Sequence, residues 1–412
     1  MHNILKIAVR NLMRYKRRTL LVATLVALGV IAVQVFVASS GSYKSLIISQ
    51  ITDAMLGQIQ IHKKGYLVSV ENVPMDLNLD QRGAATVDSI LNSMPEVEAY
   101  SPRIRLAAMI SNFAETTNLR LYGISPEKEY RTVPLLPKRV ASGSSDLKPG
   151  QILVPMLLAK GLDLKVGDQV VIIATNKDGS VNGRQFTVGG IVESAPGPGG
   201  RDGYIGISDA AELLRMDSPE ISEIAVRLKN FDKLHAVYQE IAAKLSEQVD
   251  SQGKPRFEVH TWESLAPFAN VAKMIDIMSI FVKMLLIAIV LVSIMDVMIM
   301  SVYERTREIG TLAAIGTMPE KILAIFVSEG AFLGLLGVVI GNIVALAAVY
   351  AIRFSNFTFS FGMKEGFILM PRMAMSDVLF LSLVVIGVSV LGSLQPAFKA
   401  SRMEPIKALR SV

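Results

Sequence analysis

The chain contains no cysteine among its 412 residues, so disulfides, thiolate metal sites and cysteine nucleophiles are excluded. Histidine is scarce as well: His2, His62, His235 and His260 are scattered and show no ligand spacing such as H-E-x-x-H, so no metal site is expected. There is no G-x-x-x-x-G-K-[ST] phosphate loop to hold ATP and no G-x-S-x-G nucleophile elbow. Carboxylates in the polar middle of the chain, such as Asp163, Asp168 and Glu193, stand in turn or strand-edge contexts and read as solvated surface charge. No residue asks for a catalytic role.

Apolar residues are abundant. They make up 51% of the chain, and mean hydropathy is +0.43. A membrane-spanning helix needs about 20 apolar residues, and four stretches qualify: 19–40, 277–301, 321–352 and 377–398. A cleaved signal peptide is the rival reading of the first, because Arg14, Lys16, Arg17 and Arg18 resemble a basic leader. The apolar run is too long for a leader core and Ala38-Ser39-Ser40 is a weak cleavage site, so an anchor is expected. The net charge of +6 gathers beside the apolar runs, where it suits anionic lipid headgroups rather than nucleic acid.

Basic residues set the orientation. Lys6, Arg10, Arg14 and Lys16–Arg18 precede the first span, Arg305, Arg307 and Lys321 flank the loop 302–320, and Lys399, Arg402, Lys407 and Arg410 populate the tail 399–412. These three segments belong in the cytoplasm. Residues 41–276 and the short loop 353–376 then lie outside.

The external segment reads as α+β. Strands are expected at 58–62, 103–110, 118–123, 151–154, 169–174, 186–192, 204–207, 223–228 and 256–260, and helices at 84–94, 156–162, 209–214 and 234–247. Asn176-Lys177-Asp178-Gly179 signals a hairpin with a short loop, and 195–200 an exposed loop. Helical extensions of the spans are expected at 41–55 and 262–276.

The loop between the second and third spans is dense in signals. Glu304 and Arg307 are i,i+3 neighbours able to pair, and Ile309, Leu312 and Ala313 form an apolar strip suited to a groove on a partner. Gly316 suits a left-handed helix cap, and Thr317 with Glu320 reads as a capping box ahead of Pro319. In the third span Gly330, Gly334, Gly337 and Gly341 permit close helix approach, towards the fourth span or the second. Asp296, inside the second span, is expected to face another helix in a structural role.

Three motifs carry a family resemblance. The stretch Glu304-Arg305-Thr306-Arg307-Glu308-Ile309-Gly310-Thr311-Leu312-Ala313-Ala314-Ile315-Gly316 resembles the coupling-helix signature of the FtsX/MacB-type (type VII) permeases of ABC transporters. The tail from Pro396 to Arg410 is similar to that family's ending, and Ala8–Thr19 to its opening. Within the family, Gly57–Tyr66 and the turn Leu164–Val170 resemble the LolC/LolE lipoprotein-releasing group. The chain departs from that group in a short hairpin around Thr175–Arg184, where the LolC-like subunit has a long hook for its periplasmic carrier, and in Asp296, where the family tends to Asn.

The resemblance implies four transmembrane helices plus a MacB-like periplasmic core domain in the bacterial inner membrane. It implies mechanotransmission: a separate ABC ATPase dimer holds ATP and Mg²⁺ and pushes on Glu304, Arg305, Arg307, Glu308, Ile309, Gly310, Leu312 and Gly316. This chain carries no cofactor and no catalysis. A second copy or a paralogue completes the pair, and Val33, Phe36, Val37, Ile280, Met284 and Ile287 wall a cavity for lipid or acylated cargo. Lipoprotein passed to a periplasmic carrier is the leading cargo. MacB-like export of peptides or drugs and FtsX-like activation of an external partner are the alternatives.

Overall fold

The computed structural model describes residues 2–194, 200–250, 252–265, 268–355, 358–361, 364–368 and 370–404. Most of the expected loop at 195–200 and the tail motif beyond Glu404 lie outside the described residues. In chain order the helices are α1 (His2–Arg14), α2 (Lys16–Ile51), α3 (Gln81–Asn92), α4 (Pro126–Thr132), α5 (Met156–Gly161) and α6 (Ile207–Leu213). They continue with α7 (Leu234–Ser246), α8 (Phe268–Glu304), α9 (Thr306–Ala314), α10 (Pro319–Phe354) and α11 (Met375–Ser401). The chain divides into two compact units, one of residues 1–45, 274–359 and 368–412, the other of 46–273 and 360–367.

The first unit is a helical bundle. Four helices are long and apolar enough to cross a membrane: Thr19–Leu56, Lys273–Glu304, Pro319–Phe354 and Met375–Ser401. Amphipathic α1 buries Ala8 and Leu12 and leaves Ile7 and Met13 exposed. The bundle is organised around α10, whose glycines remove every obstacle to close approach. A Cβ built on Gly330 or Gly334 would lie 2.5 or 2.6 Å from the Cβ of Ser393 or Ser389 on α11. On Gly337 or Gly341 it would lie 2.5 or 2.7 Å from the Cβ of Val26 or Val30 on α2. The glycines therefore serve the fourth span and the first, not the second. The second span meets the first at Gly29, where Val290 fills the space a Cβ would need.

One polar line crosses this bundle. Gln34, almost fully buried on α2, donates to Asn342 Oδ1 of α10 at 3.1 Å, and Asn342 Nδ2 donates to Ser382 Oγ of α11 at 2.9 Å. Such bonds join helices where lipid offers no alternative partner. On α8 the buried apolar positions among the described residues are Val290, Ile294, Met298 and Val302, one helical turn apart, with Ser301 buried beside them. Asp296 falls off that stripe and is exposed in the single chain, with no other helix of this chain over it among the described residues.

The second unit is α+β. Its strands are β1 (Ile59–Lys63), β2 (Val97–Ser111), β3 (Thr116–Ile124), β4 (Val140–Gly143), β5 (Gln151–Pro155) and β6 (Gln169–Thr175). The rest are β7 (Val181–Val192), β8 (Asp202–Gly206), β9 (Glu223–Leu228) and β10 (Phe257–Thr261). They form one sheet in the order β10-β1-β9-β2-β3-β8-β5-β7-β4, with β6 pairing β2 and β7. Pairing is antiparallel except for β3 with β8 and β5 with β7. Short β4 and α4 were not expected from the sequence, and the outer loop 353–376 contains a two-stranded hairpin, β11 (Thr358–Phe361) with β12 (Lys364–Ile368).

Buried charge fixes the centre of the sheet: Arg103, 1% exposed, donates to Glu129 at 2.7 Å and to Glu223 at 2.8 Å. Where α2 ends, Thr52–Leu56 wind into a π-helical turn. Arg227 pairs with Asp53 at 2.6 Å, Arg139 Nη1 donates to the Ala54 carbonyl at 2.8 Å, and the Leu135 N–H donates to the Asp53 carbonyl at 2.9 Å. Trp262, expected at the root of a stalk, is instead 2% exposed in the domain core, and helix α8 starts only at Phe268.

Candidate functional site

The junction of α8, α9 and α10 holds a cluster of buried and half-buried charge. Helix α8 stops at Glu304 and α9 starts at Thr306, with Arg305 (φ −110, ψ 17) as the single residue at the bend. Helix α9 ends in a Schellman cap: the Gly316 N–H donates to the Ala313 carbonyl and the Thr317 N–H to the Leu312 carbonyl, both at 3.1 Å, with Gly316 at φ +90. Thr317 is thereby committed to ending α9. The N-cap of α10 is Met318, without a side-chain cap, and Pro319 is its first residue, so the expected Thr317/Glu320 capping box does not form.

Arg305 is 5% exposed and makes the bend a joint. Its Nη1 donates to both oxygens of Glu329 on α10, at 2.9 and 3.1 Å, and its Nε donates to Glu308 Oε2 at 3.0 Å. Glu329, 1% exposed, also accepts from Asn11 Nδ2 of α1 at 2.8 Å. Glu308 accepts from Tyr15 Oη at 3.2 Å and lies 3.4 Å from Arg14. The guanidinium sits over the Phe326 ring at 5.3 Å. Burial pushes the Glu308 carboxyl up, but Arg305 and Tyr15 outweigh it and hold it below the usual range. Its contribution is present at neutral pH and is lost only as acid drives the pH through that lowered value.

Arg305 and Glu308 form an i,i+3 pair at the joint, which the sequence did not single out. The sequence pointed the Ile309, Leu312, Ala313 strip at a partner. Ile309 instead is 2% exposed in the bundle core, Ala313 packs beside it, and Gly310 is buried too. Leu312 is half-buried. The outward face of this elbow carries Glu304, Arg307, Thr311, Ala314, Ile315 and Met318, with Ile315 at 74% exposure. Asn11, Tyr15 and Glu329 were not expected at the site. A lone carboxylate inside an apolar span was the available signal for Glu329, since such a group must find a partner.

The expected cavity residues divide. Val33 continues the Val26–Val30 stripe of α2 and is 1% exposed within its own bundle, so it cannot line a wall open to cargo. Phe36, Val37 and Ile287 are half-buried. Ile280 and Met284 are exposed, as are Ile277, Met278 and Phe281 around them.

The buried ionic joint thus ties together an amphipathic leading helix, a short capped helix and the root of a span. The FtsX-like permease C-terminal family model matches residues 278–405, and the MacB-like periplasmic core domain model matches residues 19–244. The chain is an ABC transporter permease of the FtsX/MacB type. It is 25% identical over 334 residues to the lipoprotein-releasing system transmembrane protein LolC of Xylella fastidiosa, covering 77% of this chain and 78% of that one. It is 26% identical to LolC of Neisseria meningitidis serogroup B, over 76% of this chain and 78% of the relative. It is also 31% identical to the macrolide export ATP-binding/permease protein MacB of Nitrobacter winogradskyi, over 46% of this chain and 27% of that protein.

For this permease the family implies an ABC ATPase as partner, and the outward face of α9 is the surface to test. Arg307→Glu with Ile315→Asp leaves the Arg305 joint untouched. Losing an interface anchor costs about 2 kcal/mol or more, roughly 30-fold in affinity. The variant is expected to fold and insert normally while its affinity for the ATPase falls by that factor, measured by titrating the ATPase onto the purified permease.

Proposed function

We propose that this permease extracts acylated lipoproteins from the outer leaflet of the bacterial inner membrane and passes them to a periplasmic carrier. The observation that carries the reading is the outer half of α8, where Ile277, Met278, Ile280, Phe281, Met284 and Leu285 are all exposed. An apolar surface that continuous suits acyl chains, each buried CH₂ contributing about 0.8 kcal/mol. The LolC relatives, matched over three quarters of this chain, support the same cargo. In this reading the chain is non-catalytic, and a dimer of separate ATPase subunits holds ATP and Mg²⁺. Two permeases, identical or paralogous, bring α2 of one against α8 of the other, so that Phe36 and Val37 face Met284 and Ile287 across the cargo. ATP-driven closure pushes on the α8–α9 elbow and narrows that wall.

A second reading, MacB-like export of a peptide or drug, is favoured by the β6–β7 connection. It is a tight turn closed by the Asn176 N–H donating to the Ser180 carbonyl at 2.7 Å, with no long hook to grip a carrier. The test reconstitutes permease and ATPase with a triacylated lipoprotein and crosslinks from positions 36 and 284. Adducts at both positions that vanish on ATP addition are expected. Met284→Asp should weaken retention roughly 100-fold, since a charge inside the membrane costs about 3 kcal/mol. No adduct at either position beside active ATP hydrolysis selects the export reading.

A further inference from the structure

The edge of the sheet holds a constellation that the transport reading does not use. Strands β1 and β10 pair antiparallel, with His62 opposite Glu258 and Gln60 opposite His260. Side chains alternate along a strand, so Glu258 and His260 share one face and His62 reaches it from the next strand. One donor atom from each of the three lies within 4.8 Å of the other two. The histidines, scattered in sequence, are brought together by strand register.

The immediate surroundings point to a missing partner. His62 is fully buried, and among the described residues neither of its ring nitrogens has a hydrogen-bond partner; nor has His260 Nε2. The nearest carboxylates stand too far for hydrogen bonds: Glu223 Oε2 is 3.9 Å from His62 Nε2, and Glu258 Oε1 is 3.7 Å from His260 Nε2. Dry, unpaired imidazole nitrogens are costly, and three of them beside one carboxylate call for something that takes lone pairs. Glu258 is already aimed, because its Oε2 accepts from the Gly65 N–H at 3.0 Å and its Oε1 from the Leu67 N–H at 2.8 Å. Tyr66 stacks on the His62 ring with centroids 5.0 Å apart and fixes its plane. Bonded backing of this kind is what metal-binding carboxylates and imidazoles take.

We propose that His62, His260 and Glu258 bind a divalent transition-metal ion, with Zn²⁺ the best fit to two imidazoles and one carboxylate. Tetrahedral zinc with bonds of about 2.1 Å sets its ligand atoms about 3.4 Å apart, so small side-chain rotations close the present spacing and leave the fourth position to water. Glu223, held by Arg103 and Arg105, is placed behind His62 as the outer carboxylate. The ion would staple β1, which follows the π-helical turn at the end of α2, to β10, which leads through Trp262 into α8.

The test uses the full-length permease, purified in detergent through a histidine-free tag, stripped with chelator and titrated with Zn²⁺ against a chromophoric competitor. One tightly held Zn²⁺ per chain is expected, with a Zn²⁺-dependent rise in thermal midpoint. His62→Ala would hollow the core, so the partly exposed His260 carries the test. His260→Gln and Glu258→Gln, folded by circular dichroism, should each weaken Zn²⁺ binding about 100-fold or more and abolish the rise. Cobalt loading should give the visible absorption of a four-coordinate ion in the wild type alone. Folded wild type that takes up no stoichiometric Zn²⁺, or uptake that survives both substitutions, overturns the site.

Discussion

Arg305→Ala is expected to lower stability by about 3–5 kcal/mol, the usual result of removing one partner of a buried ion pair. Glu329 would be left at 1% exposure with only the amide of Asn11 for company. The loss reaches three elements together, since Arg305 also holds Glu308, and Glu308 holds Tyr15 and sits beside Arg14. Replacing both charges, as in Arg305→Met with Glu329→Leu, removes the stranded carboxylate and should recover most of that stability. Coupling should not recover, because the apolar pair ties down neither Glu308 nor Asn11. Thermal unfolding of the detergent-purified protein reads the first effect, and permease-stimulated ATP hydrolysis the second. A single Arg305→Ala variant with the wild-type midpoint would sink the assignment.

The other large effect is expected where α2 rests on α10. A methyl group on Gly337 would sit 2.5 Å from Val26 Cβ, which is stiff backbone-proximal structure and not the far end of a flexible chain. The helices must part, and overpacking of this kind costs about 1–3 kcal/mol. Gly341→Ala should behave alike through Val30 and the Ala27 carbonyl, 3.0 Å away. Since both sites load the same helix pair, the double variant should depart from additivity. Gly387→Ala on α11 is the control, because nothing lies within 4 Å of its Cβ position. Titration with a denaturing detergent, followed by loss of helical signal, ranks the three. Equal stability of Gly337→Ala and Gly387→Ala would contradict the packing described.

Much of this was legible in the sequence for local reasons. A span announces itself through twenty apolar neighbours, and Gly316 through a backbone angle that only glycine adopts cheaply. Strand Glu223–Leu228 agrees with its expected bounds because it is an unbroken β-prone run. What was missed depends on distant partners or on direction. The elbow sequence offers apolar residues in two places, Ile309 with Ala313 inside α9 and Ile315 with Met318 beyond its end, and periodicity does not say which of them meets the bundle. Arg305 has carboxylates at Glu304 and Glu308 nearby in sequence, yet its main partner is Glu329, 24 residues on in α10. Thr317 and Glu320 match a capping pattern, but the cap of the preceding helix had already used Thr317. The histidines look unrelated until the register of β1 against β10 is known.

The Gln34–Asn342–Ser382 line works as a detent. Sliding α2 along α10 by a single residue, about 1.5 Å, would pull Gln34 off Asn342 in hydrocarbon, where neither could find water. The first, third and fourth spans are thus notched into one block. The second is held differently: Val290, Ile294, Met298 and Val302 pack in the bundle core along its inner half, while Lys44 of α2 pairs with Asp276 at 2.7 Å and Lys399 of α11 donates to Tyr303 Oη at 3.0 Å. The second span is therefore stayed near its two ends, like a mast, where the other three are pinned along a shared seam.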